Sequence, residues 1–455
     1  MFLRELIAYI LLIGACGWTL RRPYIGVLAN IIVFHMNPRQ LGGGLEDIRF
    51  QFVLSIVLII AYLINIKEFT GEDGNRIELP FKWLFFFLAW GFITCIWATI
   101  DKGYAFLETV DFLKIVIFSF LMFKIVRTEK EMKTLIWVIL ISCFYTSFMA
   151  RWGGEWGWID EDEMGIATGG TGTHLIMFFP MLILFALYGN KYEKIMAYGI
   201  IPFILDFLPI TNEGMRSTFV GLVTSFTFFF IFTPNRIRRK SIVPFAFGGI
   251  IFIFVLTPPD YWTNMATILN PSEEGSAASR GVINDATFKM IADYPFGIGK
   301  GHYSSMSVDY VPEEELAETG VRDAHNTYLK IAAEQGLIGI TIWLTMAATT
   351  WWYFRRVRLK ITNDRAPTYI QLYALGLEIG MLGITAGIYT HNYQDLDTIY
   401  WFVAFSCLLF NLDRRFPNAE QAGKALYADL ADEREPKPQY GNVKPGIRAP
   451  QSVRL

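Results

Sequence analysis

A histidine stands at the end of the longest polar stretch in an otherwise apolar chain. His325 lies in the segment Asp323-Ala-His-Asn-Thr, directly before an apolar run that begins near residue 328. The pattern predicts a helix with Asp323 as N-cap and His325 in its first turn. The helix dipole disfavours a charged imidazolium there, so we expect a neutral ring that can act as a general base. The alternative is a histidine that only bonds to a neighbouring loop.

Two arginines stand at similar boundaries between polar and apolar sequence. Arg216 follows Gly214 at the start of an apolar segment, and Arg280 opens an amphipathic stretch just after Ser279. Guanidinium stays charged and binds phosphate through two parallel hydrogen bonds, which makes phosphate binding the functional interpretation. The alternative is that each arginine only reaches the membrane interface.

Other polar residues are weaker candidates. Glu334 comes nine residues after His325 and falls on a different helix face, so we expect it to bond inside the helix bundle near Gly336 and Gly339. His391 and Asp395 share a second loop, where they either orient a sugar or only bond water. The remaining histidines rank lower: His35, His174 and His302.

Composition indicates a membrane protein. Of 455 residues, 53% are hydrophobic, 16% aromatic and 18% charged, against about 25% charged residues in soluble proteins. The net charge of −2 says nothing about nucleic acid, but the sequence lacks an interleaved basic patch, so no nucleic-acid partner is predicted. The four cysteines lie within apolar runs and are expected to be buried hydrophobes, neither disulfides nor metal ligands. No motif for a metal or a cofactor is found, so neither is predicted.

Apolar segments predict an all-α polytopic membrane protein with 12–13 transmembrane helices, since a span needs about 20 residues. The candidate spans are 2–20, 24–36, 51–66, 82–99, 110–126, 133–150, 172–189, 195–211, 215–233, 241–257, 328–354, 368–390 and 398–412. The second segment is short, which leaves the count between twelve and thirteen.

Loop charges predict the orientation. Basic loops at 124–133, 236–240 and 355–360 should face the cytoplasm, and the long loop 258–325 should face outward. The N-terminus is then outside if all thirteen spans are real, and inside if the second is re-entrant. Five regions are predicted: N-terminal helices 1–165, central helices 166–257 with Arg216, the outward loop 258–325, C-terminal helices 326–412, and a disordered cytoplasmic tail 413–455.

The outward loop should contain a short helix from Arg280 to Asp293. Apolar side chains fall on one face of it: Val282, Ile283, Ala286, Thr287, Met290 and Ile291. Pro295 and the glycines up to Gly301 should end it. We expect this face to lie against the membrane or the helix bundle.

With these residues in view, the chain resembles the O-antigen ligase and O-antigen polymerase family of bacterial inner-membrane glycosyltransferases. Three stretches within residues 165–355 carry the resemblance: Gly214-Met-Arg216-Ser, Ser279-Arg280-Gly with Met290 to Gly299, and Ala324-His325-Asn326 to Gly339. Met215 departs from the pattern, where a smaller or polar residue is expected. The opening from Arg21 to Pro38 is similar to the O-glycosylation ligases associated with exosortase systems.

The resemblance implies a multi-pass protein of the bacterial inner membrane whose active site and 258–325 loop face the periplasm. The donor would be a glycan on undecaprenyl diphosphate, and the acceptor a hydroxyl of a lipid, a glycan or a protein. Transfer would be metal-independent and inverting. His325, Arg280 and Arg216 would be catalytic. The implied substrate-binding residues are Arg216, Arg280, Lys300, Tyr303, Asn326 and His391.

Two other functions stay open at the sequence level. A polysaccharide polymerase would share the fold, the donor and the site residues, and would differ only in its acceptor. A lipid-glycan transporter or flippase should instead show charges at mid-span and repeated halves. The polar candidates gather at the outer boundary of the predicted spans, which favours chemistry at the membrane surface.

Overall fold

The protein is described by a computed structural model. The description covers residues 2–36, 38, 45, 48–71, 74–152, 168–210, 216–266, 275–364, 366–389 and 391–415. Residues 1–413 form one compact unit, which holds every candidate site residue. The predicted tail beyond residue 415, and the acidic segment around residue 160, lie outside the described residues.

The regular elements in this part of the chain are helical. They are α1 (Phe2–Arg21), α2 (Pro23–Met36), α3 (Phe50–Ile64), α4 (Ile66–Thr70), α5 (Leu79–Thr94), α6 (Lys102–Ile125), α7 (Glu129–Trp152), α8 (Thr168–Tyr188), α9 (Lys191–Ile210), α10 (Arg216–Phe232), α11 (Asn235–Ile251), α12 (Pro259–Ala266), α13 (Gly275–Asp293), α14 (Tyr303–Tyr310), α15 (Thr327–Arg358), α16 (Tyr369–Gly387) and α17 (Asp397–Arg415). Short 3₁₀ turns follow α5 and α14, and a π-helical turn follows α11.

The predicted class, an all-α polytopic membrane protein, is confirmed. Among the described residues, five helices are long and apolar enough to cross a membrane: Leu79–Trp97, Glu129–Met149, Asn235–Leu256, Thr327–Arg358 and Tyr369–Gly387. Four shorter apolar helices accompany them: Pro23–Met36, Phe50–Ile64, His174–Tyr188 and Thr218–Phe232. Each predicted span coincides with a helix, while the number that crosses the bilayer stays a prediction.

The three basic loops meet at one end of the bundle. The backbone N–H of Arg236 donates to Asn363 Oδ1 at 3.3 Å, beside the third loop. Lys133 in the first loop pairs with Glu193, which also accepts from the Tyr369 hydroxyl at 2.9 Å. Helix α15 starts after His325 and runs to Arg358 in the third loop. His325 therefore lies at the opposite end from the basic loops, as the orientation prediction requires.

The short second segment forms a helix that pairs with the first. Gly26 lies so close to Thr19 that a Cβ there would stand 2.4 Å from the threonine Cγ2. Further along both helices, Leu12 and Val33 pack against the same apolar cluster. These two contacts make α1 and α2 antiparallel. Because the Tyr24 hydroxyl bonds to the Glu131 carbonyl at 2.7 Å, the turn between them lies at the basic end.

Helix α15 breaks at Gly336, where φ is 70° and ψ is −177°. The break frees three carbonyls from the helical ladder. Ile298 N and Gly299 N donate to the carbonyls of Ala333 and Glu334 at 3.0 and 2.9 Å, and Trp90 Nε1 donates to that of Gln335 at 2.7 Å. Leu337 N, which has lost its helical acceptor, donates to the Pro295 carbonyl at 2.9 Å. The outward loop is thus hydrogen-bonded into the broken helix.

The loop helix α13 confirms the predicted amphipathic segment, although it begins at Gly275, before Arg280. Its face is buried as expected, with Ile283, Ala286, Thr287 and Met290 at most 3% exposed. This face packs against α14 and α15, so it lies against the helix bundle. This packing places Arg280 near the start of α15.

Close helix packing places Arg216 at the same end. Gly221 in α10 faces Gly383 in α16, with the Gly383 carbonyl 3.2 Å from where a Gly221 Cβ would be. Small residues at such crossings let backbones approach closely. Because α16 continues into the loop that carries His391, the start of α10 lies near that loop.

Substituting Gly336 should test the docking of the loop. In Gly336→Ala, the new Cβ would lie 2.4 Å from the Phe296 carbonyl carbon, on a backbone with φ of 70°. We expect a loss of more than about 1 kcal/mol of stability, seen as a lower thermal unfolding midpoint in detergent. The control is Gly199→Ala in α9, where nothing lies within 4 Å. An unchanged midpoint in Gly336→Ala would contradict the described break.

Candidate functional site

His325 lies just before α15, not inside it. The N-cap is Asn326, whose Oδ1 accepts from the backbone of Tyr328 and Leu329 at 3.0 and 3.2 Å. The predicted cap at Asp323, with His325 in the first turn, is therefore wrong. His325 has φ of 46°, the only positive value among the described non-glycine residues. A left-handed backbone costs a side-chain-bearing residue roughly 1 kcal/mol, and such strain concentrates at functional sites.

The start of α15 is bound to the loop that carries His391. Thr327 N and Thr327 Oγ1 both donate to the His391 carbonyl, at 3.1 and 2.7 Å. Tyr393 N returns a hydrogen bond to Thr327 Oγ1 at 2.9 Å. The His391 ring stacks on Tyr393 with centroids 5.4 Å apart. These bonds fix two histidine-bearing segments, distant in sequence, against each other.

Asp323 organises the same junction from the other side. Its Oδ1 accepts from Ala324 N at 2.9 Å and from Lys330 Nζ at 3.1 Å, and its Oδ2 accepts from Asn392 Nδ2 at 2.9 Å. Burial alone would raise the pKa of Asp323, but the Lys330 charge and these hydrogen bonds lower the pKa overall. Asp323 thus stays ionised and bonds both loops to α15.

Arg280 and Arg322 give His325 a positive environment. Burial is the largest cause that lowers the pKa of His325; Asp323 opposes it, and Arg322, Arg280 and Lys330 add to it. Arg322 Nη2 lies 3.4 Å from Ser279 Oγ, so its guanidinium reaches the residue before Arg280. This lowered pKa favours the neutral imidazole, through burial and neighbouring cations instead of the helix dipole.

His391 shares this environment. Burial, then the charges of Arg280 and His325, lower the pKa of His391 to about 4. Charge effects of this kind weaken with distance, so Arg280 and His325 lie near His391. The structure therefore brings together Arg280, His325 and His391, with Arg322 and Lys330 beside them.

Arg216 opens α10 and is half-buried. Its helix packs on α16, which places it at the His391 end of the bundle. Residues 211–215, which precede it, lie outside the described residues. Its catalytic and substrate-binding roles remain predictions.

Three residues predicted to bind substrate are instead used inside the protein. Lys300 is 2% exposed, and its Nζ lies 2.5 Å from Asp395 Oδ1. Tyr303 is fully buried, bonds through its hydroxyl to Thr287 at 2.5 Å, and has its pKa raised by burial to about 12. Asn326 is 3% exposed and caps α15. As described, these side chains position the loop and offer a substrate almost no surface.

Glu334 bonds inside the bundle, as expected. Its carboxylate accepts from Tyr303 N at 3.3 Å and from Gln394 Nε2 at 3.2 Å. The carboxylate also interacts with the charges of Lys330 and Lys300 and accepts a hydrogen bond from the Gly301 backbone. This buried acid joins the outward loop, α15 and the second loop, beneath the His325 group.

Sequence reasoning missed Arg322, Lys330 and Asn392. Arg322 could have been found, because it is a cation in an outward loop, where positive charge is disfavoured. Its Nε is buried with no hydrogen-bond partner among the described residues, which leaves a donor for an anion. Lys330 and Asn392 could not have been found, because only the fold shows that both bind Asp323.

One comparison with known proteins supports the family resemblance. Residues 201–344 match the family model described as O-antigen ligase. This segment of the chain is similar to the O-antigen ligase family. The matched segment, just under a third of the chain, contains Arg216, Arg280, Arg322 and His325, and the resemblance to the O-antigen ligase/polymerase family is confirmed. No curated protein matches the chain. The matched segment thus includes every site residue named above except those of the 391–395 loop.

The charge environment of His325 can be measured directly. The chain has five histidines, so each ring signal can be assigned in NMR spectra of ¹³C-histidine-labelled protein in detergent. We expect the pKa of His325 to lie below about 6.5. Arg322→Gln should raise it, because removing a nearby cation makes protonation easier. Arg127→Gln, at the basic end, is the control. A wild-type His325 that titrates at or above the usual value would refute the described environment.

Proposed function

We propose that this protein transfers a glycan from undecaprenyl diphosphate to an acceptor hydroxyl, and that transfer occurs at the His325 end of the bundle. The single observation that supports this most is the grouping of one neutral histidine with two arginines at a membrane boundary. The similarity to the O-antigen ligase family supports the reaction class. The grouping supplies the residues for its chemistry.

The arginines can stabilise the leaving group. When the acceptor oxygen bonds to the anomeric carbon, the glycosidic C–O bond to phosphate breaks and negative charge develops on the lipid diphosphate. Fixed cations stabilise such charge most in a site with little water. Arg280 and Arg322 lie around His325, and we assign the diphosphate to them together with Arg216.

His325 can activate the acceptor hydroxyl. A neutral imidazole takes the proton that the attacking hydroxyl loses, so no charge is left on the new glycosidic oxygen. Single displacement inverts the anomeric carbon. The strained backbone of His325 is consistent with a side chain held for chemistry instead of for stability.

The orientation follows from the loop charges. Basic loops gather at the end of the bundle opposite His325, and such loops face the cytoplasm. We therefore place the site at the periplasmic face of the bacterial inner membrane. A donor chain anchored in the outer leaflet would reach this face from the side.

Replacing His325 by glycine separates catalysis from folding. His325→Gly removes the imidazole and also relieves the left-handed strain, so unfolding should not become easier. Transfer to the native acceptor should fall by a factor of about 10² to 10⁴. The measurement is glycan transfer by the purified variant from lipid-linked donor, together with its thermal midpoint. A variant that keeps wild-type turnover would end the proposed role of the imidazole.

Arg280 has a matched control on its own helix. Arg280→Ala should lower turnover by about 10² or more, because the leaving diphosphate loses a fixed cation. Lys289→Ala removes an exposed cation from the same helix α13 and should change nothing. Equal losses in the two variants would mean that only the overall charge of the loop matters.

Supplying lipid-linked repeat units alone separates a ligase from a polymerase. A ligase should leave them unjoined until its acceptor is added, as we propose here. Growth of chains on the carrier lipid would assign polymerisation instead. Loss of donor from the outer leaflet without any new glycosidic bond would indicate transport.

A further inference from the structure

Three metal-binding side chains from separate helices meet in the interior of the bundle. His35 in α2, Cys143 in α7 and His174 in α8 each offer one ligand atom, and these atoms lie within 4.8 Å of one another. All three residues are at most 6% exposed. None belongs to the His325 group, and the proposed transfer does not use them.

The two imidazoles are aimed at each other. Their Nε2 atoms are 2.7 Å apart, and His35 Nδ1 lies 2.7 Å from the Ile31 carbonyl. A carbonyl only accepts, so His35 Nδ1 carries the proton and its Nε2 presents a lone pair. Metal-binding histidines commonly donate their second N–H to a backbone carbonyl in this way. His35 is thus held in the tautomer that a metal ion requires.

The pair is incompletely satisfied without an ion. His174 Nε2 must donate to His35, which leaves His174 Nδ1 as a bare acceptor. That atom is buried and has no hydrogen-bond partner in the described part of the chain. The rings of Phe34, Phe178 and Trp401 surround it. Were Nε2 bound to a metal, Nδ1 would carry hydrogen, and aromatic faces attract an N–H weakly.

The donor set selects the ion. A thiolate and two imidazoles favour zinc or copper over hard cations such as Mg²⁺. Zn²⁺ is almost always four-coordinate in structural sites, whereas three protein ligands meet here among the described residues. Cu⁺ with one thiolate and two neutral imidazoles has no net charge, which matters among aromatic side chains because isolated charge is costly to bury. We infer that His35, Cys143 and His174 form a buried Cu⁺ site.

Only small movements are needed for binding. Metal–nitrogen and metal–sulfur bonds are roughly 2.0 and 2.3 Å long. Forming them would increase the distance between the two Nε2 atoms by less than about 1 Å and move the Cys143 sulfur toward the ion. The ion would then join α2, α7 and α8. Its role is to hold these helices together, and no step of glycosyl transfer passes through it.

Metal binding can be tested without measuring transfer. Protein purified in detergent is titrated with Cu⁺ under anaerobic, reducing conditions against a chromophoric Cu⁺ chelator. We expect one Cu⁺ per chain, and binding at least about 10- to 100-fold weaker in Cys143→Ser and His174→Asn. Cys407→Ser is the control, because Cys407 is also a buried free cysteine but lies in α17. X-ray absorption of the loaded wild type should show one sulfur and two nitrogen ligands.

Stability gives a second readout. Cu⁺ should raise the thermal midpoint of the wild type and of Cys407→Ser, since a ligand bound only by the folded state stabilises it. At the same Cu⁺ concentration, the rise should be smaller in Cys143→Ser, which binds the ion more weakly. Equal Cu⁺ affinity in wild type and Cys143→Ser, or absorption spectra without a sulfur ligand, would overturn the site. Tighter retention of Zn²⁺ than of Cu⁺ in competition would overturn the choice of ion.

Discussion

The hydrogen bonds between the outward loop and the broken helix α15 are the constraint on which the site depends. Helix α15 supplies backbone acceptors to the outward loop by breaking at Gly336. Ile298 and Gly299 donate to those acceptors. The loop therefore has a fixed position relative to α15, and α13, which carries Arg280, is held against the residues that precede that helix.

A second set of hydrogen bonds holds the site residues of this loop next to those of the 391–395 loop. Asp323 bonds to Lys330 and Asn392, and Thr327 bonds to the His391 carbonyl. With α13, which carries Arg280, three chain segments thus meet around one imidazole. Thr327 is fully buried, so losing its partner would leave its hydroxyl unsatisfied at a cost of roughly 1–3 kcal/mol. The strain at His325 can persist because these bonds determine the surrounding backbone.

Much of this arrangement could be predicted from sequence, and the failures have physical causes. Hydropathy predicted the membrane helices, and the amphipathic spacing of residues 280–293 predicted α13. The cap was misassigned because Asp323 and Asn326 are both good N-cap residues, and only the fold shows that Asp323 is bound to Lys330 instead. The family resemblance implied that Lys300 and Tyr303 bind substrate, whereas packing buries both. The His35, Cys143 and His174 group was invisible because its members are far apart in sequence.

Binding of a soluble prenyl diphosphate, followed by histidine NMR, tests the central claim most directly. If Arg280, Arg322 and His325 form the diphosphate site, farnesyl diphosphate should shift the His325 and His391 ring signals together and raise the pKa of His325, because the bound anion offsets the nearby cations. His302, whose Nε2 accepts from Asp101 N at 3.0 Å within the fold, should be unaffected. Saturable binding that leaves the His325 and His391 signals unmoved would contradict the account.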